Sequence, residues 1–176
     1  MYLLETQHVL KVYRDLIIEE AKANLAKPQG KFRKPKNASG TLSDSIQGTD
    51  KFEKGKLIEA GIEMEAYGEF IDKGVSGVKK KYDTPYSYKD RMPPASKLDK
   101  WTVRRGIAPR DAKGKFIPRK SLLWLISRGI YNNGIKPSLF MTKPFEKYME
   151  KLPVELATAF TEDSKAYLEL QLKDLK

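Results

Sequence analysis

The sequence predicts an α+β fold: a long N-terminal helix and C-terminal helices packed on a small antiparallel β-sheet, with basic loop insertions. Three observations predict it. Leu3 to Ala26 carries a helical apolar stripe with no Gly or Pro inside it. "LIEAGIEM" alternates with period two behind a glycine turn. The second half then holds further helical patterns bounded by Gly and Pro.

In chain order, Leu10, Tyr13, Ile17 and Ala21 form the stripe of the first helix, Val9, Val12 and Leu16 widen it, and Pro28 stops it. "KPQGKFRKPKNASG" reads as a basic loop. "TLSDSIQG" is expected as a short strand with Leu42 and Ile46 on one face. A turn at Gly55 leads into the alternating segment, where Ile58, Ala60, Ile62 and Met64 are expected inward. "EAYGEFIDKG" predicts a short helix with Tyr67, Phe70 and Ile71 inward and Gly74 as its stop. "MPPASKLDKWTVRRG" predicts a helix with Pro94 in its first turn and Leu98 and Trp101 on a shared face. "SLLWLISRGIYNNG" predicts another, with Ser121 as N-cap and Asn133-Gly134 as the stop. Thr142 opens a helix with Pro144 in its first turn, and Pro153 divides it from a last helix. The expected organisation is one α+β domain over 1–152, with a basic insertion at about 79–120 and a helical extension over 153–176.

The charge is local. Residues 79–120 hold 14 Lys and Arg against 4 Asp and Glu, a net of +10, while the rest holds 20 against 19. Such a segment suits a polyanion or an acidic protein face. With no cysteine there are no disulfides and no thiolate chemistry. No apolar run is long enough to span a bilayer, and no membrane partner is expected. His8, the only histidine, lies within the first helical pattern without a partner motif. Neither a phosphate-binding loop nor a dinucleotide fingerprint occurs, and no metal or other cofactor is expected. Glu63, Glu65, Glu69 and Asp72 are the nearest thing to paired carboxylates, and they read better as surface acids. A basic nucleic-acid-binding protein, or a small ribonuclease or toxin acting through Lys, Arg and Tyr, is the alternative that composition leaves open.

Four blocks in one order resemble the tail-completion, or neck and minor tail, proteins of tailed bacteriophages: "NASGTLSDSI", "YGEFIDKGVSG", "MPPASKLDKW" and "GIKPSLFMTKPF". The likeness runs from about Leu3 to Lys151. The basic stretch around 79–89, the loop 110–120 and the segment beyond Pro153 depart from it. The resemblance implies an α+β subunit of a homo-oligomeric ring at the head–tail junction. It would be assembled in the host cytoplasm, lie against portal or adaptor and tail proteins, and have no catalytic role. On that reading Ile135, Pro137, Leu139, Phe140, Met141 and Phe145 are expected to anchor the subunit interface. Lys79, Lys80, Lys81, Lys89, Arg91, Arg104, Arg105, Arg110, Lys113, Lys115, Arg119 and Lys120 are expected to face packaged double-stranded DNA or an acidic partner.

Overall fold

The computed structural model describes residues 3–29, 34–35, 39–54 and 56–173. It is α+β: a long N-terminal helix, several C-terminal helices and a small antiparallel sheet. The chain forms two compact units. Unit 1 comprises Met1–Ala26, Ser43–Glu65 and Phe140–Lys176; unit 2 comprises Lys27–Leu42 and Ala66–Leu139.

Unit 1 is built around helix α1 (Leu4–Ala26), which buries Tyr13, Ile17, Ile18, Ala21 and Leu25. The predicted stripe is therefore the buried face, shifted slightly, with Val12 and Leu16 at its exposed margin. The hairpin of β3 (Gln47–Glu53) and β4 (Lys56–Glu63) packs against α1. Its register opposes Asp50 to Ala60 and Gly48 to Ile62 on one face, and Lys51 to Glu59 on the other. The first face meets α1, where Arg14 crosses so close over Gly48 that a Cβ there would lie 2.4 Å from its Nε. The second face is charged, with Lys51 Nζ 2.7 Å from Glu59. Ile58, expected inward, is 62% exposed. A bulge between Lys51 and Phe52 re-aims the hairpin tip, as bulges do by bending and twisting a strand. The expected turn residue Gly55 lies outside the described residues.

Helices α6 (Thr142–Met149) and α7 (Leu152–Lys173) also pack on α1. Both begin as the prolines predict, with Pro144 and Pro153 in their first turns. The helical extension expected over 153–176 thus belongs to unit 1.

Residues 41–45, expected as strand, form helix α2 (Thr41–Ser45), and the strand starts only at Gln47. Leu42 and Ile46 are both buried, but their spacing of four is satisfied by a helical turn.

Unit 2 contains a two-residue pairing of β1 (Pro28–Gln29) with β2 (Lys34–Pro35), within the segment expected as a loop. It also holds α3 (Tyr67–Asp72), a 3₁₀ turn (Ala95–Leu98) running into α4 (Asp99–Arg104), and α5 (Arg119–Asn133). Three details differ from expectation. Tyr67 and Phe70 are exposed, because Gly68 and Asp72, four apart, take the buried face of α3. Trp101 is on the outer side of α4, whose buried residue is Thr102. Helix α5 starts two residues before Ser121, directly after the extended backbone of Pro118.

The apolar core of unit 2 is sparse, and a backbone network holds it. Val75 and Ile135 exchange both amide hydrogen bonds, at 2.9 and 2.8 Å. Ser76 N–H donates to the Tyr86 carbonyl and Tyr88 N–H donates to that of Ser76. The buried Ser76 hydroxyl donates to the Tyr82 carbonyl and accepts from the Tyr82 N–H. The amides of Val78, Lys79 and Lys80 donate to the carbonyls of Tyr131 and Asn132, at the C-terminal end of α5.

Candidate functional site

Two surfaces stand out, one in each unit. In unit 1 a cleft of about 320 Å³ is lined by Leu10, Tyr13, Arg14 and Ile17 of α1, by Ala60, Gly61, Ile62 and Met64 of the hairpin segment, and by Met141, Phe145, Met149 and Leu152. Its walls are apolar apart from Arg14, which pairs with Asp50 and Asp15. The hydrogen bond to Asp15 and the charges of both acids outweigh burial and raise the Arg14 pKa further. Phe145, at the cleft, is 47% exposed. The three methionines give it walls that can repack around an apolar insert.

Helix α7 adds a second apolar feature. Its seam toward α1 follows a four–three spacing through Leu152, Leu156, Ala159 and Asp163, and continues at Ala166 and Leu170. Asp163 meets the first turn of α1, accepting from Glu5 N–H at 3.1 Å, Thr6 N–H at 2.9 Å and the Thr6 hydroxyl at 2.7 Å. Residues 164–173 therefore run on past the start of α1 for about 15 Å. There Leu168, Leu170 and Leu172 are 60–63% exposed.

Asp163 thus caps one helix from the middle of another, a role that sequence reading missed. Burial alone would push its carboxyl up, but the N–H and hydroxyl donors of Thr6, Glu5 and Leu4 prevail and hold it below the ordinary carboxylate range. A depressed folded pKa gives stability that is complete above the ordinary aspartate value of about 3.9. That stability is lost as pH falls through the lower folded value. Asp163→Ala is expected to cost about 1–2 kcal/mol at neutral pH. In thermal melts across pH 2–7, the difference between the wild type and this variant should shrink toward zero at the acid end.

The stretch expected as one interface is divided. Ile135 is in the backbone pairing with Val75. Pro137 packs on Gly74, where an added Cβ would lie 2.6 Å from its nitrogen. Ser138 and Leu139 N–H groups donate to the Asp72 carbonyl, closing the end of α3, and Leu139 takes a positive φ of 53° there. These three belong to unit 2, whereas Phe140, Met141 and Phe145 belong to unit 1. Phe140 is 1% exposed, so it fills the folded chain's own core and offers no surface to a neighbour. Met141 and Phe145 line the cleft.

Unit 2 carries the second surface. It holds 22 Lys and Arg against 6 Asp and Glu, a net of +16, and unit 1 holds 12 against 17, a net of −5. Glu69 and Asp99 are taken by Lys73 and Arg119, and Asp72 is buried, so few acids remain to offset the cations. Hydrogen bonds from Lys73 and Tyr86 hold Glu69 below the carboxylate range, as suits a surface ion pair. Among the described residues, Lys79, Lys80, Lys81, Lys89, Arg91, Arg104, Lys113, Lys115 and Lys120 are exposed and make no ion pair. The segment 78–93 follows α5 back from Asn132 through Tyr131 to Ser127, whose hydroxyl donates to the Pro93 carbonyl. Lys79, Lys80, Lys81, Lys89 and Arg91 are thereby held along the C-terminal part of α5.

Three predicted cations have structural roles instead. Arg119 donates to the Asp99 carboxylate at 2.6 Å, to its carbonyl and to the buried Thr102 hydroxyl. Arg105 is half-buried and lies over Trp101. Arg110 donates to the Gly114 carbonyl at 2.7 Å and stacks 3.7 Å over Phe116.

Among the described residues no cluster of acids and histidine could hold a metal ion, and no helix is long and apolar enough to cross a membrane. Compared with family models, curated proteins and solved structures, the chain matches none.

Proposed function

We propose that the chain is a structural subunit of a tailed-phage virion, one of the copies in a ring at the head–tail junction, joining portal or adaptor to tail. The observation that carries this reading is a pair of unlike surfaces on one chain. Unit 1 is net acidic and exposes Phe145 and the leucines of α7; unit 2 is strongly basic. Head-to-tail rings need unlike surfaces, because one face of each copy meets a different face of the next. Apolar anchors supply the interface energy and opposite charge supplies register. The surplus positive charge suits DNA passing through such a ring, where phosphate contacts are blind to sequence. The α+β architecture and the order of the four sequence blocks agree with the same reading.

A second reading, a monomeric nucleic-acid-binding protein or ribonuclease of the cell, is favoured by the density of unpaired lysines. Light scattering on the purified chain at raised concentration, together with mass spectrometry of purified virions, separates the two. The expected result is a multimer and a virion component. A chain that stays monomeric, is missing from virions, and degrades RNA until Arg104 and Arg105 are replaced overturns the proposal.

A further inference from the structure

The connection between α4 and α5 contains a turn that serves no core. Every residue from Arg110 to Phe116 is exposed. The apex, Gly114, has a φ of +78° and open space where a Cβ would stand. Exposed loops that bury nothing are ordinarily loosely held. This one is tied by its own bonds. Arg110 and Phe116 form an antiparallel bridge. The Asp111 carboxylate accepts from the N–H groups of Lys113 and Lys115, both at 2.9 Å. Asp111 N–H donates to the Lys115 carbonyl at 2.8 Å, and Gly114 N–H donates to the Asp111 carbonyl at 3.0 Å. The guanidinium of Arg110 closes the turn from the side. Lys113 and Lys115 are left projecting, without an ion pair among the described residues.

We infer that this turn is a preformed contact for the phosphate backbone of duplex DNA, with Lys113 and Lys115 as the contacting groups and Asp111 as the residue that positions them. The inference rests on the reading of unit 2 as DNA-facing and assigns that role to a specific element. Preorganisation lowers the ordering cost that flexible lysines pay on binding. The backbone N–H groups of residues 111, 113, 114 and 115 are committed inside the turn, so Lys113 and Lys115 offer their ammonium groups alone. Point charges of that kind suit phosphate oxygens, whose contacts carry no sequence information. A repeating polyanion also matches the number of further exposed cations without an ion pair in unit 2, where a single acidic protein patch would meet only a few.

The test is fluorescence anisotropy with a 30-base-pair duplex over a salt series, at protein concentrations below self-association. The wild type is expected to bind with a steep salt dependence and equally to a scrambled duplex. Lys113→Ala/Lys115→Ala should lower the log–log salt slope by about 2, with an unchanged far-ultraviolet spectrum. Asp111→Ala is the decisive variant. It makes the chain more positive, so if bulk charge alone mattered binding would tighten; a positioned turn predicts affinity lower by about two- to tenfold. An unchanged slope in the double variant, tighter binding by Asp111→Ala, or no binding by the wild type at low salt each overturns the assignment. The readout needs no assembly. Rings that form while the slope stays unchanged sink this inference alone, and a slope change in a chain that never assembles sinks the ring alone.

Discussion

Phe140→Ala is expected to remove about 3–5 kcal/mol of stability, a large part of the roughly 5–15 kcal/mol that a folded chain has. The ring is 1% exposed and is among the largest fully buried side chains. Truncation removes its transfer energy and leaves a cavity that neighbouring helices fill only in part. Phe145→Ala, five residues on, should behave differently. Its ring is nearly half exposed, so the folded monomer should lose about 1–2 kcal/mol at most. Self-association at raised concentration should instead fall sharply, because the cleft loses its anchor. Urea unfolding midpoints and light scattering on both variants separate the two roles. If Phe140→Ala unfolds at the wild-type midpoint, the placement of Phe140 in the core is wrong.

Gly134→Ala should be nearly as damaging, at about 3 kcal/mol or more from strain and overpacking together. The residue sits at φ 71° and ψ −167°, a region that only glycine enters freely. A Cβ would stand 2.1 Å from the Val75 carbonyl oxygen and 2.5 Å from Gly77 N, both backbone atoms that no rotamer change can move. Gly77 faces the same crowding from the other side, with a Cβ 2.3 Å from the Asn132 carbonyl oxygen. The control is Gly129→Ala inside α5, where a Cβ meets nothing within 4 Å. There alanine should be neutral or stabilise by up to ~1 kcal/mol. Thermal unfolding of the pair, with proteolysis across residues 74–88 as a local probe, checks both. Equal melting temperatures would refute the interlocked packing of residues 74–77 with 132–137.

These sites show what a sequence can and cannot reveal. The first helix, the hairpin, α5 and the proline-started helices were legible because each rests on local periodicity or a local stop. Leu42 and Ile46 misled because a spacing of four fits both a helical turn and one face of a strand. In "SLFMTKPF" composition identifies anchors but not their direction; Phe140 is core and Phe145 is half-exposed, which depends on packing partners distant in the chain. The capping role of Asp163 has no local signal, since the amides it caps are 157 and 158 positions away. Charge counting placed the basic unit but could not show that Arg119, Arg105 and Arg110 are spent on internal bonds. The turn at Asp111 was readable in principle, because Asp followed three residues later by Gly is a type I turn signature. The cleft was less so: its walls come from three separate parts of the chain.

The pairing of α1 with α7 has a consequence for synthesis. The apolar stripe of α1 is covered partly by α7, a helix synthesised much later. At about 5–20 residues per second, Tyr13 and Ile17 wait roughly 7–27 s for their neighbours from Tyr148 onward. During that interval α1 shows its apolar stripe on the nascent chain, so efficient production of this protein should depend on a chaperone that shelters α1 until α7 has emerged.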